Sequence, residues 1–200
     1  MRHQIHIWGP RERSQVPQSA FKINTTSTST DFGKAFSPFM NQGPIELYGL
    51  TAHNVENMYQ YQKCYSRHVG NYQEWKRWRD AGLASTIAVR YPMGKGAKPE
   101  FSYIKGLGKL SYVEARHKIY IPAYEQKLAR YCTRELQTLA DILTITDVWL
   151  FDFDGRITDQ LFEDAVCDPD HSLGHSFIIK KFLEENYERY HSPTIHPATD

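Results

Sequence analysis

The longest helical pattern in the chain lies between Tyr112 and Leu143, and it constrains the fold more than any other feature. After Pro122, apolar side chains recur at steps of three and four residues, the spacing that places side chains on one face of a helix. These side chains are Tyr124, Leu128, Tyr131, Cys132, Leu136, Leu139, Ala140 and Leu143. We expect this face to lie in the core. Because proline lacks an amide hydrogen and its ring clashes with the preceding turn, we expect the helix to break at Pro122.

Two short segments predict β-strands. Residues 45–48 are a mainly apolar run that Gly49 ends, and residues 148–151 are an apolar run followed by an acidic turn. The threonine- and serine-rich run at 24–31 fits either an edge strand or an extended linker. Since helical patterns outnumber strands, the expected fold class is α+β and mainly α-helical.

Four other helices are predicted, two of them from their N-caps. Asn54 is a good N-cap for a helix that meets no glycine or proline before Gly70. A second helix is expected over residues 72–88, where Gly82 weakens it. Thr158 is expected to cap a helix that buries Leu161, Phe162, Ala165 and Val166. A last helix from about Leu173 should bury Phe177, Ile178 and Phe182.

Composition indicates one globular domain without a strong overall electrostatic field. The chain has 200 residues, of which 40% are hydrophobic and 24% charged, and its net charge is +1. Tight nonspecific DNA binding is therefore not expected. Basic side chains nevertheless concentrate between Arg67 and Arg90, among Tyr72, Trp75 and Trp78. This cluster fits a solvated helix face or a local phosphate or nucleotide contact. The basic, glycine-containing segment at 92–101 is read as a surface loop, because its spacing is not that of a phosphate-binding loop.

The cysteines and the termini bear on metal binding and location. Cys64, Cys132 and Cys167 are far apart, and none lies in a CxxC or Cys/His pairing, so the sequence predicts neither a disulfide framework nor a metal site. No signal-peptide pattern is present, and no apolar run approaches the roughly 18 residues that a membrane span requires. We expect a soluble, cytoplasmic protein without a cofactor.

A stripe of polar side chains follows Asn54. Helical spacing places Glu56, Tyr59, Gln60 and Lys63 along one side, so that a carboxylate and an amine share a face. By itself this arrangement fits an ordinary surface ion pair. The stripe, however, follows the turn F-S-P-F at 36–39 and the segment P-I-E-L-Y-G-L-T at 44–51.

Together these motifs resemble the signature of the NADAR (NAD- and ADP-ribose-associated), YbiA-like family. That signature has an F-S-x-F turn, a P-I-x-x-x-G-x-x segment and a helix reading S-E-H-x-x-Q-x-x-K. In this chain the S-E-H positions read Val55-Glu56-Asn57, and the family's acidic-x-x-W-G-x-G segment is missing, with D-F-D-G at 152–155 in roughly its place. The resemblance continues loosely to about Phe182, where L-G-H-S at 173–176 is similar to a late family motif. It implies an extension at 1–31, a YbiA-like domain at 32–190 and a tail at 191–200.

The family implies an N-glycosidase, because members cleave phosphoribosylamino compounds or remove ADP-ribose from guanine. Glu56 matches the family's helix glutamate and is the expected catalytic carboxylate, with Asp152 or Asp154 as the second acid. Such carboxylates stabilise an oxocarbenium-like transition state or activate water. The expected partner is a ribosylated nucleotide or base resembling ADP-ribose, and a modified nucleic acid is a further candidate. The residues expected to bind the substrate are Phe36, Phe39, Tyr59, Lys63, Trp149, Gly174 and His175.

Two alternatives stay open. The first is a module that binds NAD or ADP-ribose without catalysis. The second rests on residues 148–158, which resemble the first motif of haloacid-dehalogenase-type phosphatases. In that case Asp152 would attack a phosphoryl group and Asp154 would act as acid and base beside Mg²⁺. That motif requires a lysine and an acidic pair on later strands, whereas the residues after Thr158 predict helices.

Overall fold

A computed structural model describes residues 3–191 of the chain, which adopt an α+β fold. The strands are β1 (Ile5–Trp8), β2 (Phe21–Asn24), β3 (Ile45–Leu47), β4 (Leu50–Ala52), β5 (Lys63–Cys64), β6 (Phe101–Ile104), β7 (Gly108–Leu110) and β8 (Val148–Phe151). The α-helices are α1 (Val55–Gln60), α2 (Tyr72–Ala84), α3 (Tyr112–Ala115), α4 (Ile121–Tyr131), α5 (Thr133–Ile142), α6 (Phe162–Cys167), α7 (His175–Glu185) and α8 (Tyr187–His191).

Helices α4, α5 and α7 form the centre of the core. The apolar stripe predicted after Pro122 is confirmed, since from Tyr124 to Leu143 all its members except the half-buried Tyr131 are buried. Helix α4 packs against α1, β3 and α7. The predicted burial of Phe177, Ile178 and Phe182 on the last helix is also confirmed. This core supports both α1 and the first turn of α7.

Strand β8 is the middle of a three-stranded parallel sheet, with β1 and β2 on its two sides. The predicted strand at 148–151 is therefore confirmed. Both neighbours come from the segment that the sequence predicts as an extension at 1–31. In its described part, Ile5, Ile7 and Ile23 belong to the hydrophobic core, so this segment packs into the fold. Most of the predicted tail, residues 192–200, lies outside the described residues.

The first two predicted helices end earlier than expected. Helix α1 begins after Asn54, whose side chain accepts the Asn57 amide as predicted, but it ends at Gln60. The reason is non-local, because Lys63 and Cys64 pair with β6 as a strand. Helix α2 ends at Ala84 instead of residue 88.

The helical break falls at Cys132 and not at Pro122. A π-helical turn, Arg116–Tyr120, joins α3 to α4, so helical structure continues past the proline to Tyr131. Pro122 sits in the first turn of α4, where a missing amide hydrogen is tolerated.

The cap of α6 also differs from the prediction. Leu161 occupies the N-cap and is 74% exposed, whereas the sequence predicts its burial under a Thr158 cap. Ala165 and Val166 are buried as predicted. No helix in the described range 3–191 is long and apolar enough to cross a membrane.

Gly82 in α2 marks a close helix contact. A Cβ at this position would lie 2.0–2.2 Å from ring atoms of Tyr61, whose ring also packs against Trp78. The glycine that weakens the helix therefore allows α2 to approach the end of α1.

We predict that Gly82→Ala destabilises the protein by up to about 2 kcal/mol, since an overpacking cost of about 1–3 kcal/mol outweighs the roughly 1 kcal/mol gain in helix propensity. Urea unfolding measures the change. The control is Ala81→Gly at the neighbouring exposed position, which should lose only the propensity term of about 1 kcal/mol. A more stable Gly82→Ala protein would contradict the role of the close contact.

Candidate functional site

A polar cleft of about 300 Å³ opens beside α1 and the carboxyl ends of β2 and β8. This is the edge of a parallel sheet at which ligands commonly bind. The lining residues are Thr26, Ser27, Ser37, Pro38, Phe39, Glu56, Tyr59, Gln60, Lys63, Arg90, Tyr91, Tyr112, Arg116, Tyr120, Asp152, Phe153, Asp154, Ser172, Leu173 and His175. The cleft thus joins seven separate segments of the chain.

Seven of the ten residues predicted from the sequence line this cleft: Phe39, Glu56, Tyr59, Lys63, Asp152, Asp154 and His175. Phe36, the first residue of the F-S-P-F turn, does not line the cleft, because its side chain is fully buried in the core. Trp149 does not either, because its ring stacks on His6 at a centroid distance of 4.5 Å. Gly174 does not line the cleft, because it lies behind the acidic turn, where only a residue without a Cβ fits.

Glu56 and Lys63 are linked through Gln60. The Gln60 amide nitrogen donates to Glu56 Oε1 at 2.9 Å, and Lys63 Nζ donates to Gln60 Oε1 at 2.7 Å. In the described chain no direct ion pair joins Glu56 to Lys63, so the surface ion pair that their spacing fits is replaced by a link through an amide. Burial raises the pKa of Glu56, although the Gln60 hydrogen bond and the charge of Lys63 oppose this. Burial lowers the pKa of Lys63 to about 8.

Aromatic rings form one wall of the cleft. Tyr59 and Tyr120 pack with ring centroids 5.0 Å apart, and Lys63 Nζ lies 4.4 Å from the Tyr59 ring centroid. Tyr120 projects from the π-helical turn, a feature that is frequent at functional sites. The turn places Arg116 at the cleft as well. Nothing in the helical pattern of the sequence distinguishes Tyr120 or Arg116 from core residues.

A buried ion pair closes the back of the cleft. His175 Nδ1 lies 2.9 Å from Asp152 Oδ2, and His175 Nε2 lies 2.8 Å from the Thr25 carbonyl oxygen. Both ring nitrogens face acceptors. The ring therefore donates from both, as only the doubly protonated, positively charged form of histidine can. Burial opposes both charges, but their attraction and hydrogen bonds raise the pKa of His175 and lower that of Asp152 to about 2.

Gly174 allows this pair to form. A Cβ at Gly174 would lie 2.6 Å from Asp152 Oδ2 and 3.0 Å from the Asp154 carbonyl oxygen. The Ser176 amide also donates to Asp152 Oδ2, at 3.2 Å. The start of α7 therefore fits directly against the acidic turn after β8.

Arg90 reaches the cleft from the loop that follows α2. Its guanidinium pairs with Asp154 at 2.5 Å, and both side chains are about one third exposed. Of the basic side chains between Arg67 and Arg90, Arg67 pairs with Glu74, whereas Lys76 and Arg79 pair with Asp80. Arg90 therefore lines the cleft, where the phosphate-contact interpretation stays a prediction. The solvated helix-face interpretation fits Lys76, whereas Arg79 is buried.

Asn57 holds this loop in place. Its side-chain nitrogen donates to the Ser85 carbonyl oxygen at 3.0 Å and to the Ile87 carbonyl oxygen at 2.9 Å. Its side-chain oxygen accepts the Val89 amide at 3.0 Å. These three bonds explain why α2 ends at Ala84, and they direct the next residue, Arg90, toward the cleft.

The phosphatase interpretation does not fit this geometry. Asp152, its expected nucleophile, is only 3% exposed and is held by His175 and Ser176. After β8 the described chain forms helices and no further strand. The later strands that would carry the lysine and the acidic pair are therefore missing from the described part of the fold.

The structure thus defines an α+β protein with a polar cleft at the end of a parallel sheet. The chain belongs to a family of unknown function, DUF6939, whose profile matches residues 12–179. No curated protein matches the sequence. Among solved structures, the NMR structure of the E. coli protein YbiA matches at a TM-score of 0.46 and 16% identity, covering 92% of this chain and 96% of YbiA.

Replacing Asn57 should release the loop that carries Arg90. Because each lost hydrogen bond is worth about 1 kcal/mol, we expect Asn57→Ala to speed amide exchange at Val89 by more than about tenfold. Hydrogen exchange with mass spectrometry measures this change. Asn71→Ala is the control, since Asn71 caps the other end of α2 and should affect exchange there only. Unchanged exchange over residues 85–90 in Asn57→Ala would contradict the assignment.

Replacing Asp152 should cost far more stability than replacing Asp147 at the opposite end of β8. Asp152→Asn leaves a buried cation without its partner, an expected loss of about 3–5 kcal/mol in urea unfolding. Asp147 pairs with His3 and His6 at the surface, where ion pairs contribute little, so Asp147→Asn should have a much smaller effect. Similar losses in both variants would contradict the importance of burial.

The stability that the Asp152–His175 pair contributes should depend on pH through the titration of His175. Because its pKa is raised in the folded state, its stabilisation is complete below the unfolded value of 6.5 and is lost as the pH rises through the folded value. The stability difference between wild type and His175→Asn should therefore narrow as the pH rises above 6.5 and through the raised folded pKa of His175. Asp152, with a lowered pKa, loses its contribution only as the pH falls toward 2.

Proposed function

We propose that this protein hydrolyses the N-glycosidic bond of a ribosylated base or nucleotide. One observation carries the proposal: a buried carboxylate, Glu56, lines a cleft together with two cations, Lys63 and Arg90, and a wall of aromatic rings. The motifs that resemble the NADAR signature contribute Phe39, Glu56 and Lys63 to this cleft. The proposal assigns a role to each of these groups.

Glu56 is proposed as the catalytic carboxylate. When the bond between ribose C1′ and the base nitrogen breaks, positive charge develops on the ribose, and a nearby carboxylate stabilises it. The attacking water gives its oxygen to C1′, and the base leaves with a proton. Because burial raises the pKa of Glu56, this carboxylate is a better proton acceptor than an exposed glutamate.

Lys63 and Arg90 are proposed to bind the phosphate groups of the substrate. Arg116 also lines the cleft, but its guanidinium already donates to the carbonyl oxygens of Val166 and Asp168, at 2.8 and 2.6 Å. Within residues 3–191, Lys63 has only the neutral Gln60 as its hydrogen-bond acceptor, and Arg90 is partly exposed. Both can therefore form charge-assisted bonds to an anion.

Asp154 is proposed as the second acid. In this structure its carboxylate is paired with Arg90, whereas Asp152 is committed to His175. A phosphate that takes over Arg90 would release the Asp154 carboxylate beside the sugar. Phe39 and Tyr59, which also line the cleft, are proposed to stack on the ribose or the base. Substrate binding would thus prepare the second acidic group.

The variant Glu56→Gln tests the proposal. We expect wild-type protein to release free base from an ADP-ribosylated base or a phosphoribosylamino pyrimidine, measured by chromatography. Glu56→Gln should lose about 10²–10⁴ in rate and should still bind ADP-ribose in calorimetry. Because the variant removes a buried charge whose pKa is raised, its Tm should not fall below that of the wild type.

The control is Glu46→Gln, whose carboxylate is exposed and pairs with Arg130 outside the cleft. It should leave turnover unchanged. Equal turnover in Glu56→Gln and wild type would overturn the catalytic role. Binding of ADP-ribose without product from any ribosylated compound would instead identify a binding module.

A further inference from the structure

A second cluster of reactive side chains lies outside the cleft, between the π-helical turn and α6. His117 projects from the turn, whereas Glu163 and Cys167 project from α6. Cys167 Sγ lies 3.8 Å from His117 Nε2, and Glu163 Oε2 lies 3.9 Å from the same nitrogen. In the described part of the chain, no other group of three or more such side chains has its ligand atoms within metal-binding distance of one another.

The spacing of these atoms fits one metal ion. Zinc bonds of about 2.0–2.3 Å in tetrahedral geometry place neighbouring ligand atoms about 3.3–3.6 Å apart. The three ligand atoms here lie within 4.8 Å of one another, and both measured separations are below 4 Å. Glu163 and Cys167 are four residues apart on α6 and therefore share a helix face. Small side-chain movements suffice to close the site.

The direction of approach separates a metal site from a catalytic triad. In a triad, the nucleophile contacts one nitrogen of the histidine and the orienting carboxylate contacts the other. Here the thiol and the carboxylate both approach His117 Nε2. Three ligand atoms within 4.8 Å of one another, with the second ring nitrogen outside these contacts, form an arrangement that a single cation can bridge.

The backbone around the cluster is held firmly. The side chain of Arg116, next to His117, donates to the carbonyl oxygens of Val166 and Asp168, which flank Cys167. This contact fixes the end of α6 against the turn. The cluster itself is open to solvent, with Cys167 exposed and the side chains of His117 and Glu163 33% and 68% exposed. An ion can therefore reach it without unfolding.

We propose that His117, Glu163 and Cys167 bind a divalent zinc-type metal ion, with a fourth position open to water. A thiolate, an imidazole and a carboxylate are the ligands that zinc accepts, and the thiolate disfavours Mg²⁺ and Ca²⁺. None of these three side chains lines the cleft beside α1. Because it would join α6 to the π-helical turn, bound metal should raise the thermal stability of the protein.

Cobalt and zinc titrations test this site in protein that carries no affinity tag. One equivalent of Co²⁺ should produce an ultraviolet thiolate-to-cobalt absorption band, which Zn²⁺ should displace. Cys167→Ser and His117→Ala should lose the band and bind Zn²⁺ at least about tenfold more weakly, and Glu163→Gln should weaken binding in the same direction. Zn²⁺ should raise the Tm of the wild type and leave that of Cys167→Ser unchanged.

The matched control is His6→Ala, which removes a surface histidine beside the Asp147 carboxylate and no thiol. It should keep the cobalt band and the zinc affinity. Cobalt binding without the thiolate band, or zinc affinity that is equal in wild type, Cys167→Ser and His117→Ala, would overturn the proposal. Circular dichroism checks that the variants fold, and since all three positions are at the surface, their folding should match that of the wild type.

Discussion

The buried ion pair between Asp152 and His175 holds the candidate site together. It joins the end of β8 to the start of α7, and the second ring nitrogen of His175 ties both to Thr25 after β2. The Thr25 hydroxyl in turn donates to the Phe151 carbonyl oxygen at 2.7 Å. Three distant segments therefore meet at one imidazolium. A buried charge without its partner is strongly unfavourable. The close fit of Gly174 against Asp152 matters for this reason, because a Cβ there would press on the carboxylate of the pair.

Asn57 connects the helix that carries Glu56 to the loop after α2. The histidine of the S-E-H pattern is an asparagine here, and its amide group makes three hydrogen bonds to the loop after α2. Both its donor and its acceptor capacity are used, in a side chain that is fully buried. The residue beside the proposed catalytic Glu56 thus directs Arg90 into the cleft, at a position where the sequence alone shows only a departure from the pattern.

Much of the fold could be predicted from local patterns. The stripe after Pro122, the cap at Asn54 and the apolar run at 148–151 depend on residues close in sequence, and the structure confirms each of them. The early end of α1 and the parallel pairing of β1 and β2 with β8 depend on partners far along the chain. Periodicity does not contain that information.

The same limit applies to the candidate site. Most residues taken from motifs line the cleft, because a helix and a strand end place them there together. In the sequence, Arg90 is one basic residue among several. The positions of Tyr120 and Arg116 at the cleft depend on a π-helical turn that no sequence pattern predicts. His117 and Cys167 are 50 positions apart, so their proximity also had no local signal.

The separation of Glu56 from Lys63 distinguishes this cleft from a structural ion pair. Burial raises the pKa of the carboxylate and lowers that of the ammonium, so both charged forms are disfavoured by their surroundings. If stability alone decided the arrangement, direct contact between the two groups would offset part of this desolvation. Instead each group binds the neutral amide of Gln60. A buried carboxylate and a partly buried ammonium that are kept apart beside a cleft both retain bonding capacity for a ligand, which is what the proposed function needs.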